Sequence, residues 1–548
     1  MKGFTFTKGD FFGGLTAGIV ALPLALAFGL QSGLGAAAGL YGAIILGLIS
    51  AVLGGTYTQI SGPTGPMTVV AAAAIAGFIQ IGGSIEIVLG AVVATFILAG
   101  ILQVVFGLIQ LGKLIRFIPY PVISGFMSGI GVIIILLQIF PAIGQPSPPT
   151  TIDVVRQIGP ALSNINIWAL LYAALTVVIV YLFPRITKTV PGTLVALIGV
   201  TILSVILQKE VEVIGTIPSG LPDMQVSTLF SIDPVLYGQI IQVAITLAAL
   251  GAIDSLLTSV VADNVTKTRH NSNRELIGQG IGNSVAGIFG GLPGAGATMR
   301  TLVNIRSGGS SRWSGIIHSA TLAIILLAVG SYAALIPKAV LAGLLITVGL
   351  GILDYRGIKH IRVVSRADAA IMIVVLLITV FLDLLTAVGV GMVMGALFFM
   401  KKMSDVIGER THVESLVTYE KGKHWQGRDL PEELEGNVLV KHLEGPLFFG
   451  FASGLQRMAE EVIDVSHAIY RMEEVPFIDQ TGLYSLQETI LTMKERNIRV
   501  VVTGLKEQPE KMLRSAGIIP QLIPEKNVCP TFEAAVECII EDLKKPKI

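Results

Sequence analysis

From about residue 11 to about residue 400 the chain is a succession of apolar runs broken by glycine, proline and short polar clusters. A run of roughly 20 mainly apolar residues crosses the ~30 Å hydrocarbon core of a bilayer as a helix. About fourteen such spans begin near Phe11, Leu34, Pro66, Glu86, Pro119, Ile167, Gly192, Tyr237, Arg274, Ala295, Trp313, Ile336, Asp368 and Leu385. After Met400 charged residues become frequent and the apolar runs shorten. There Val438 to His442, Ala468 to Met472 and Val500 to Thr503 read as strands, and Thr481 to Arg496 and Thr531 to Lys544 as helices. The expected architecture is an α-helical polytopic membrane domain over 1–403 followed by a small α/β domain over 404–548.

Two spans, third and tenth in order, are interrupted. One follows Ser61-Gly62-Pro63-Thr64-Gly65-Pro66-Met67-Thr68 and the other follows Gly290-Gly291-Leu292-Pro293-Gly294-Ala295-Gly296-Ala297-Thr298. Their matching positions split the spans into two halves of seven, the pattern of inverted-repeat carriers that hold substrate near the midplane at half-helix ends. Unpaired N–H groups and the positive dipole end at each N-terminus suit an anion. Glycines that merely permit close helix packing would read the same way singly, but not as a matched pair.

Charge adds orientation. With the N-terminus cytoplasmic, alternation puts Lys113/Arg116, Arg185/Lys188, Lys267/Arg269/Arg274, Arg306/Arg312, Arg356/Lys359/Arg362/Arg366 and Lys401/Lys402 inside, and the acidic loop from Lys209 to Asp233 outside. Both termini are then expected to be cytoplasmic. Met1 to Asp10 carries Lys2 and Lys8 and leads into an apolar stretch with no small-residue cleavage site, so the reading is a first spanning helix and not a removed signal peptide.

Composition excludes whole classes. With 52% apolar and 14% charged residues and a mean hydropathy of +0.76, the chain is not a water-soluble enzyme. A net charge of +1, from 38 Lys+Arg against 37 Asp+Glu, leaves no nucleic-acid footprint. The two cysteines, Cys529 and Cys538, fall in the part that reads as cytosolic and predict neither a disulfide framework nor a zinc site. No P-loop is present, so no ATP hydrolysis is expected, and His270 and His318 read as interfacial or packing residues.

Within the spans Asp254 carries the most information, because an intramembrane carboxylate is costly and by default functional. Thr258 follows at i+4 on the same helix face. A carboxylate, a hydroxyl and carbonyls of a nearby broken helix make a hard-oxygen site for Na+, or for H+ with the carboxylate alone. The alternative is a carboxylate near a helix end that meets water or pairs with a base. Arg300 either reaches an anion or Asp254, or snorkels to the cytoplasmic interface. Glu86 and Asp383 read as interfacial, and Asn264, Asn271 and Asn283 as loop or packing residues.

Phe12-Gly13-Gly14-Leu15-Thr16-Ala17-Gly18, then Ala21-Leu22-Pro23-Leu24-Ala25-Leu26-Ala27-Phe28-Gly29, with Phe126-Met127-Ser128-Gly129, resemble the SulP anion transporters, and the tail resembles their STAS domain. The resemblance covers essentially the whole chain. It implies seven-plus-seven inverted repeats forming core and gate parts, a homodimer, and a multi-pass location in the inner (cytoplasmic) membrane amid lipid.

Gly62 to Val70, Asp254 to Asn264 and Gly294 to Thr298 are most similar to the BicA-type, sodium-dependent bicarbonate branch. That similarity implies Na+ at Asp254, Thr258, Gly296, Ala297 and Thr298, and bicarbonate at Thr64, Ala297 and Thr298 with the half-helix ends, Gly65 included. Phe28 matches an aromatic position near the anion and Arg300 an anion-binding arginine of vertebrate relatives, whereas Leu24 replaces a glutamine of many members. Thr481, in Phe477-Ile478-Asp479-Gln480-Thr481-Gly482, matches a phosphorylatable position of bacterial relatives; alternatively Asp479 and Thr481 cap the helix.

The expected function is Na+-coupled bicarbonate symport by alternating access, with Na+ as coupling ion and no other cofactor. H+-coupled sulfate or dicarboxylate transport is the alternative within the class. An uncoupled anion channel, or a receptor signalling through its soluble domain, is the alternative outside it.

Overall fold

The computed structural model describes residues 5–113, 118–148, 150–187, 191–215, 220, 222–382, 384–410, 412–415, 434, 437–451 and 465–544. Lys2, Arg116, Lys188 and Asp383 lie outside them. The chain divides into two compact units, residues 1–395 and 396–548.

The helices of the first unit are α1 (Lys8–Gln31), α2 (Ala36–Leu53), α3 (Gly65–Gly82), α4 (Ile85–Leu108), α5 (Tyr120–Ala142), α6 (Thr151–Ala161), α7 (Ile167–Leu182), α8 (Gly192–Leu207), α9 (Tyr237–Thr266), α10 (Ser272–Ile288), α11 (Thr298–Arg306), α12 (Arg312–Ala333), α13 (Lys338–Ile352), α14 (Tyr355–His360), α15 (Arg366–Phe381) and α16 (Leu384–Arg410). Setting aside the short connecting helices α6 and α14, these are the fourteen expected spans. Among the described residues eight helices are long and apolar enough to cross a membrane by length and composition. The interrupted pair is unequal: α3 has 18 residues and α11 only nine. Ser307, Gly308 and Gly309 close α11 back onto its own carbonyls.

Packing repeats with the halves exchanged. Helix α4 lies on α9 as α12 lies on α1, α10 on α4 as α2 on α12, α3 on α9 as α11 on α1, and α15 on α5 as α7 on α13. The pairs α2–α10 and α5–α13 map onto themselves. So does a two-residue antiparallel ladder between β1 (Ser61–Gly62) and β2 (Ala295–Gly296), with Ser61 opposite Gly296 and Gly62 opposite Ala295. Equivalent segments that meet antiparallel are the consequence of a two-fold axis in the membrane plane, the inverted repeat. A core group (α1–α4, α9–α12) carries the ladder, and a gate group is built on α5, α7, α13 and α15.

Two charged residues fasten the core. Asp10 is fully buried and accepts from Ser310 N (2.7 Å), Ser311 N (2.8 Å) and Ser311 Oγ (2.8 Å), which ties the start of α1 to the start of α12. Arg312, expected among the cytoplasmic loop charges, is 1% exposed and donates to the carbonyls of Ala51, Val52 and Gly54, closing the C-terminus of α2. A guanidinium there satisfies carbonyls that a helix end leaves unpaired and meets the negative dipole end.

In the second unit β3 (His412–Ser415), β4 (Val438–Glu444), β5 (His467–Glu474), β6 (Arg499–Thr503) and β7 (Val528–Cys529) form one sheet in that order, parallel except for β3. Alternation sends Ala468, Tyr470, Met472, Val500 and Val502 to one face, under helix Gln480–Glu495, and Ile469 and Val501 to the other, under helix Phe532–Leu543. Parallel strands covered on both faces are apolar on both, as the sequence shows. Asp479 alone caps the first of these helices, accepting from Gly482 N at 2.7 Å; Thr481 is exposed in its first turn and does not cap.

Candidate functional site

The ladder brings the two interrupted segments together at the middle of the core, and α9 passes beside them. Thr64 is the residue before α3, Ala297 the residue before α11, and both are buried with Asp254. Thr258 Oγ1 donates to Gly296 O at 2.9 Å and lies 2.7 Å from Thr298 Oγ1. One turn away, Asp254 is 8% exposed, and its Oδ2 atom is buried with no hydrogen-bond partner. The Thr64 hydroxyl is likewise buried with no hydrogen-bond partner. Two hydroxyls and a backbone carbonyl thus meet where α9 passes β2, with a carboxylate one helical turn before them, all of them hard oxygens.

Arg300 does not run to the membrane face. It is 2% exposed, its Nη2 donates to Pro63 O at 2.5 Å, and its Nη1 is buried without a partner beside Gly62, where a Cβ would stand 2.7 Å away. The Ala297 N–H is committed to Ile60 O at 2.8 Å. Gly65 faces the gate, since a Cβ there would meet Ile134 of α5 at 2.7 Å and Ile352 of α13 at 3.2 Å. Phe28 is 3% exposed in the apolar cluster that also holds Met67 and Phe126. Thr481 belongs to the second unit.

Of the residues that hold the crossing in place, sequence reading named Asn283, as a loop or packing residue, and missed Glu275 and Gln279. Glu275, Gln279 and Asn283 recur every fourth residue and so line one face of α10. Glu275, 1% exposed, accepts from Gly55 N (2.7 Å), Thr56 N (2.8 Å), Gln59 Nε2 (2.8 Å) and Gln279 Nε2 (2.8 Å). Gln279 also donates to Ser61 Oγ at 2.6 Å. Asn283 grips Gly294 from both sides, accepting from its N at 2.9 Å and donating to its O at 3.0 Å. Ser259 donates to Gln59 Oε1, and Ser255 Oγ accepts from Gly296 N at 3.0 Å. Backbone that is neither helix nor barrel survives at membrane depth only when its polar groups are satisfied, and this polar stripe does that. The i, i+4, i+8 spacing of polar residues inside a span was the signal available.

Gly296 is required by contact: a Cβ there would stand 2.2 Å from Gln59 Nε2. Among the described residues no group of three or more His, Cys, Asp or Glu is gathered to hold a metal ion.

Comparison with known proteins matches residues 7–375 to the sulfate permease family and residues 432–535 to the STAS domain. The chain is 40% identical over 550 residues to the bicarbonate transporter BicA of a Picosynechococcus species, covering 98% of this chain and 95% of the relative. Its fold is similar to that of the transmembrane domain of a cyanobacterial bicarbonate transporter BicA, at 43% identity and a TM-score of 0.64, covering 72% of this chain and 98% of that one. It is also similar to the murine anion transporter Slc26a9, at 20% identity and a TM-score of 0.81, covering 98% and 92%.

Proposed function

The chain belongs to the sulfate permease family and is a multi-pass membrane protein with a STAS domain, and we propose that it couples the inward movement of Na+ to the uptake of bicarbonate by alternating access. The observation that carries this reading is the buried Asp254 carboxylate, with a free oxygen, one turn along α9 from Thr258, whose hydroxyl meets the Thr298 hydroxyl and the Gly296 carbonyl. Na+ takes that oxygen set, and the anion takes the half-helix ends at Thr64, Gly65 and Thr298, with Arg300, Ala297 and Phe28 around it. Relatives named as bicarbonate transporters at 40% identity support the choice of anion.

Coupling follows from electroneutrality. Asp254 and Arg300 already offset one another, so a lone Na+ or a lone anion leaves a net charge in a low-dielectric core at a cost of several kcal/mol. Bound together they leave none. The site faces α5 and α13 through the apolar Ile134 and Ile352 side chains, a contact that slides without breaking hydrogen bonds and so lets the core group move past the gate group. In this reading both termini are cytoplasmic, the membrane is the inner one, the protein is a homodimer, and Thr481 stands exposed for phosphorylation.

One feature favours a second reading. The free Nη1 of Arg300 offers an additional buried donor to an anion, which suits sulfate or a dicarboxylate carried with H+ at Asp254. Uptake of labelled bicarbonate into proteoliposomes, with and without an inward Na+ gradient, separates the two. Na+-driven uptake that is lost in Asp254→Ala and resists sulfate competition supports symport. Uptake driven by H+ or selective for sulfate overturns the bicarbonate reading, and anion current that persists in Asp254→Asn identifies a channel.

A further inference from the structure

Where α9 ends, a cavity of about 390 Å³ opens among Val260, Asp263, Asn264, Lys267, Thr268 and Arg269. Lys267 closes the helix in the left-handed conformation and starts the turn to α10. The carboxylate on this wall is taken by the turn itself: Asp263 accepts from Thr268 Oγ1 at 3.1 Å and from His270 N at 3.0 Å, and its Oδ2 lies 2.7 Å from His270 Nδ1. Glu275 is buried and committed to four donors of its own. Lys267 and Arg269 are exposed and form no ion pair among the described residues. Two more cations stand beside the turn: Arg274 at the start of α10, and Lys113, next to Gly112, where a Cβ would meet Ser272 at 3.0 Å and Asn273 at 2.9 Å.

The unpaired cations select an anion, and depth selects its class. Thr258 touches the ladder, which lies on the two-fold axis and so at mid-membrane. Lys267 follows Thr258 by nine residues, about 14 Å along the helix, against a half-thickness of about 15 Å for the hydrocarbon core. Between them Val260 and Val265 are 45% and 48% exposed, so apolar side chains look outward up to the boundary and cations begin there. The layer at that depth is the phosphate of the lipid headgroups, and clustered Lys and Arg beside a spanning helix attract the anionic ones. The cavity has room for a phosphodiester with several waters attached, since a water occupies about 30 Å³.

We propose that this cavity binds the phosphodiester of an anionic phospholipid, held by Lys267 and Arg269 with the Asn264 amide as a neutral donor. The site goes beyond the transport reading and depends on it only for the leaflet, which is the cytoplasmic one in that orientation. A lipid bound here ties the end of the helix that carries Asp254 and Thr258 to the leaflet surface. It holds the core group at one height in the bilayer, so the anionic lipid content sets the balance between the two access states.

The test is the thermal stability of the purified full chain in detergent, titrated with phosphatidylglycerol, with phosphatidylcholine and with inorganic phosphate. Phosphatidylglycerol is expected to raise Tm by mass action and the other two to leave it unchanged. Lys267→Gln/Arg269→Gln alters two exposed side chains and is expected to keep the lipid-free Tm. It is expected to raise the phosphatidylglycerol concentration for half-maximal effect about thirtyfold. Arg356→Gln/Lys359→Gln removes the same charge from exposed positions of α14 and is expected to titrate as wild type. An unchanged titration in the first double variant, or an equal loss in the second, overturns the site. An equal rise with phosphatidylcholine shows bulk lipid only, an equal rise with inorganic phosphate shows a soluble-anion site, and either overturns the lipid assignment. No step of the test requires transport, so its failure leaves the carrier reading in force, and absence of Na+-driven uptake leaves this site in force.

Discussion

The hydroxyls of Thr258 and Thr298 stand 2.7 Å apart, one on the continuous helix α9 and the other on the first residue of the half-helix α11. In the proposed reading this bond joins the cation-binding helix to the anion-binding end, so removing either hydroxyl is expected to weaken coupling as well as affinity. Thr258→Val keeps the shape and deletes the oxygen. It is expected to raise the Na+ concentration for half-maximal uptake roughly tenfold, about 1.4 kcal/mol, while Thr258→Ser stays near wild type. Na+ titration of bicarbonate uptake checks both.

Asp254 and Glu275 are both buried carboxylates, but they serve opposite ends. Glu275 accepts four hydrogen bonds, and Glu275→Gln turns an NH2 group toward donors it cannot accept from. The expected loss is about 3–5 kcal/mol, read as a lowered Tm in detergent. Asp254 accepts no such set of bonds and has an unpaired oxygen, but it offsets the buried Arg300 charge, so Asp254→Ala is expected to abolish Na+-driven uptake while lowering Tm less than Glu275→Gln does.

Gly296→Ala drives a methyl group into Gln59, whose side chain is pinned by Glu275 and Ser259. Overpacking of this kind costs about 1–3 kcal/mol, and here it also displaces the Gly296 carbonyl from Thr258. Loss of uptake in Gly296→Ala with partial recovery in Gly296→Ala/Gln59→Ser is the expected result. A double-mutant cycle measured on both Tm and uptake tests it.

The second unit responds to acid through Asp542. Burial pushes its carboxyl up, but hydrogen bonds from Lys526 (3.1 Å) and Arg499 (2.6 Å) outweigh that and hold it below the usual carboxylate range. A depressed folded-state value means the stabilisation is present above the unfolded value of about 3.9 and is lost as pH falls through the folded one. Both partners are well exposed, so each pair contributes less than ~1 kcal/mol. Corrected for intrinsic rates, amide exchange of Phe532–Leu543 is expected to quicken below about pH 4, and Asp542→Asn to remove that step.

The spans, the paired breaks and Asp254 were legible because each rests on a local rule: run length, glycine and proline in an apolar context, a carboxylate where lipid excludes water. Arg300 and Arg312 were not legible. An arginine in an apolar stretch either snorkels or caps a buried carbonyl, and only the position of Pro63 or of the α2 C-terminus decides between the two. Glu275 was read past because it follows Arg274 at the start of a span, where charge is ordinary. Its four donors come from residues as far as 220 positions away. Asp479 as the cap followed from residue type, whereas the exclusion of Thr481 from capping depended on where the first helical turn begins.

Sequence by itself determined that this chain is a membrane protein of two halves with a soluble α/β unit, since hydrophobic run length and strand alternation are properties of short segments. It also marked the positions where the backbone must break. Tertiary structure decided that β1 and β2 pair, that Thr258 meets Thr298, and that α10 supplies the polar stripe beneath them. The ladder joins segments more than 200 residues apart in the chain, Ser61 to Gly296, and Thr258 reaches Thr298 across 40; the free energy that selects these contacts is the satisfaction of backbone polar groups in a medium with no water to satisfy them instead.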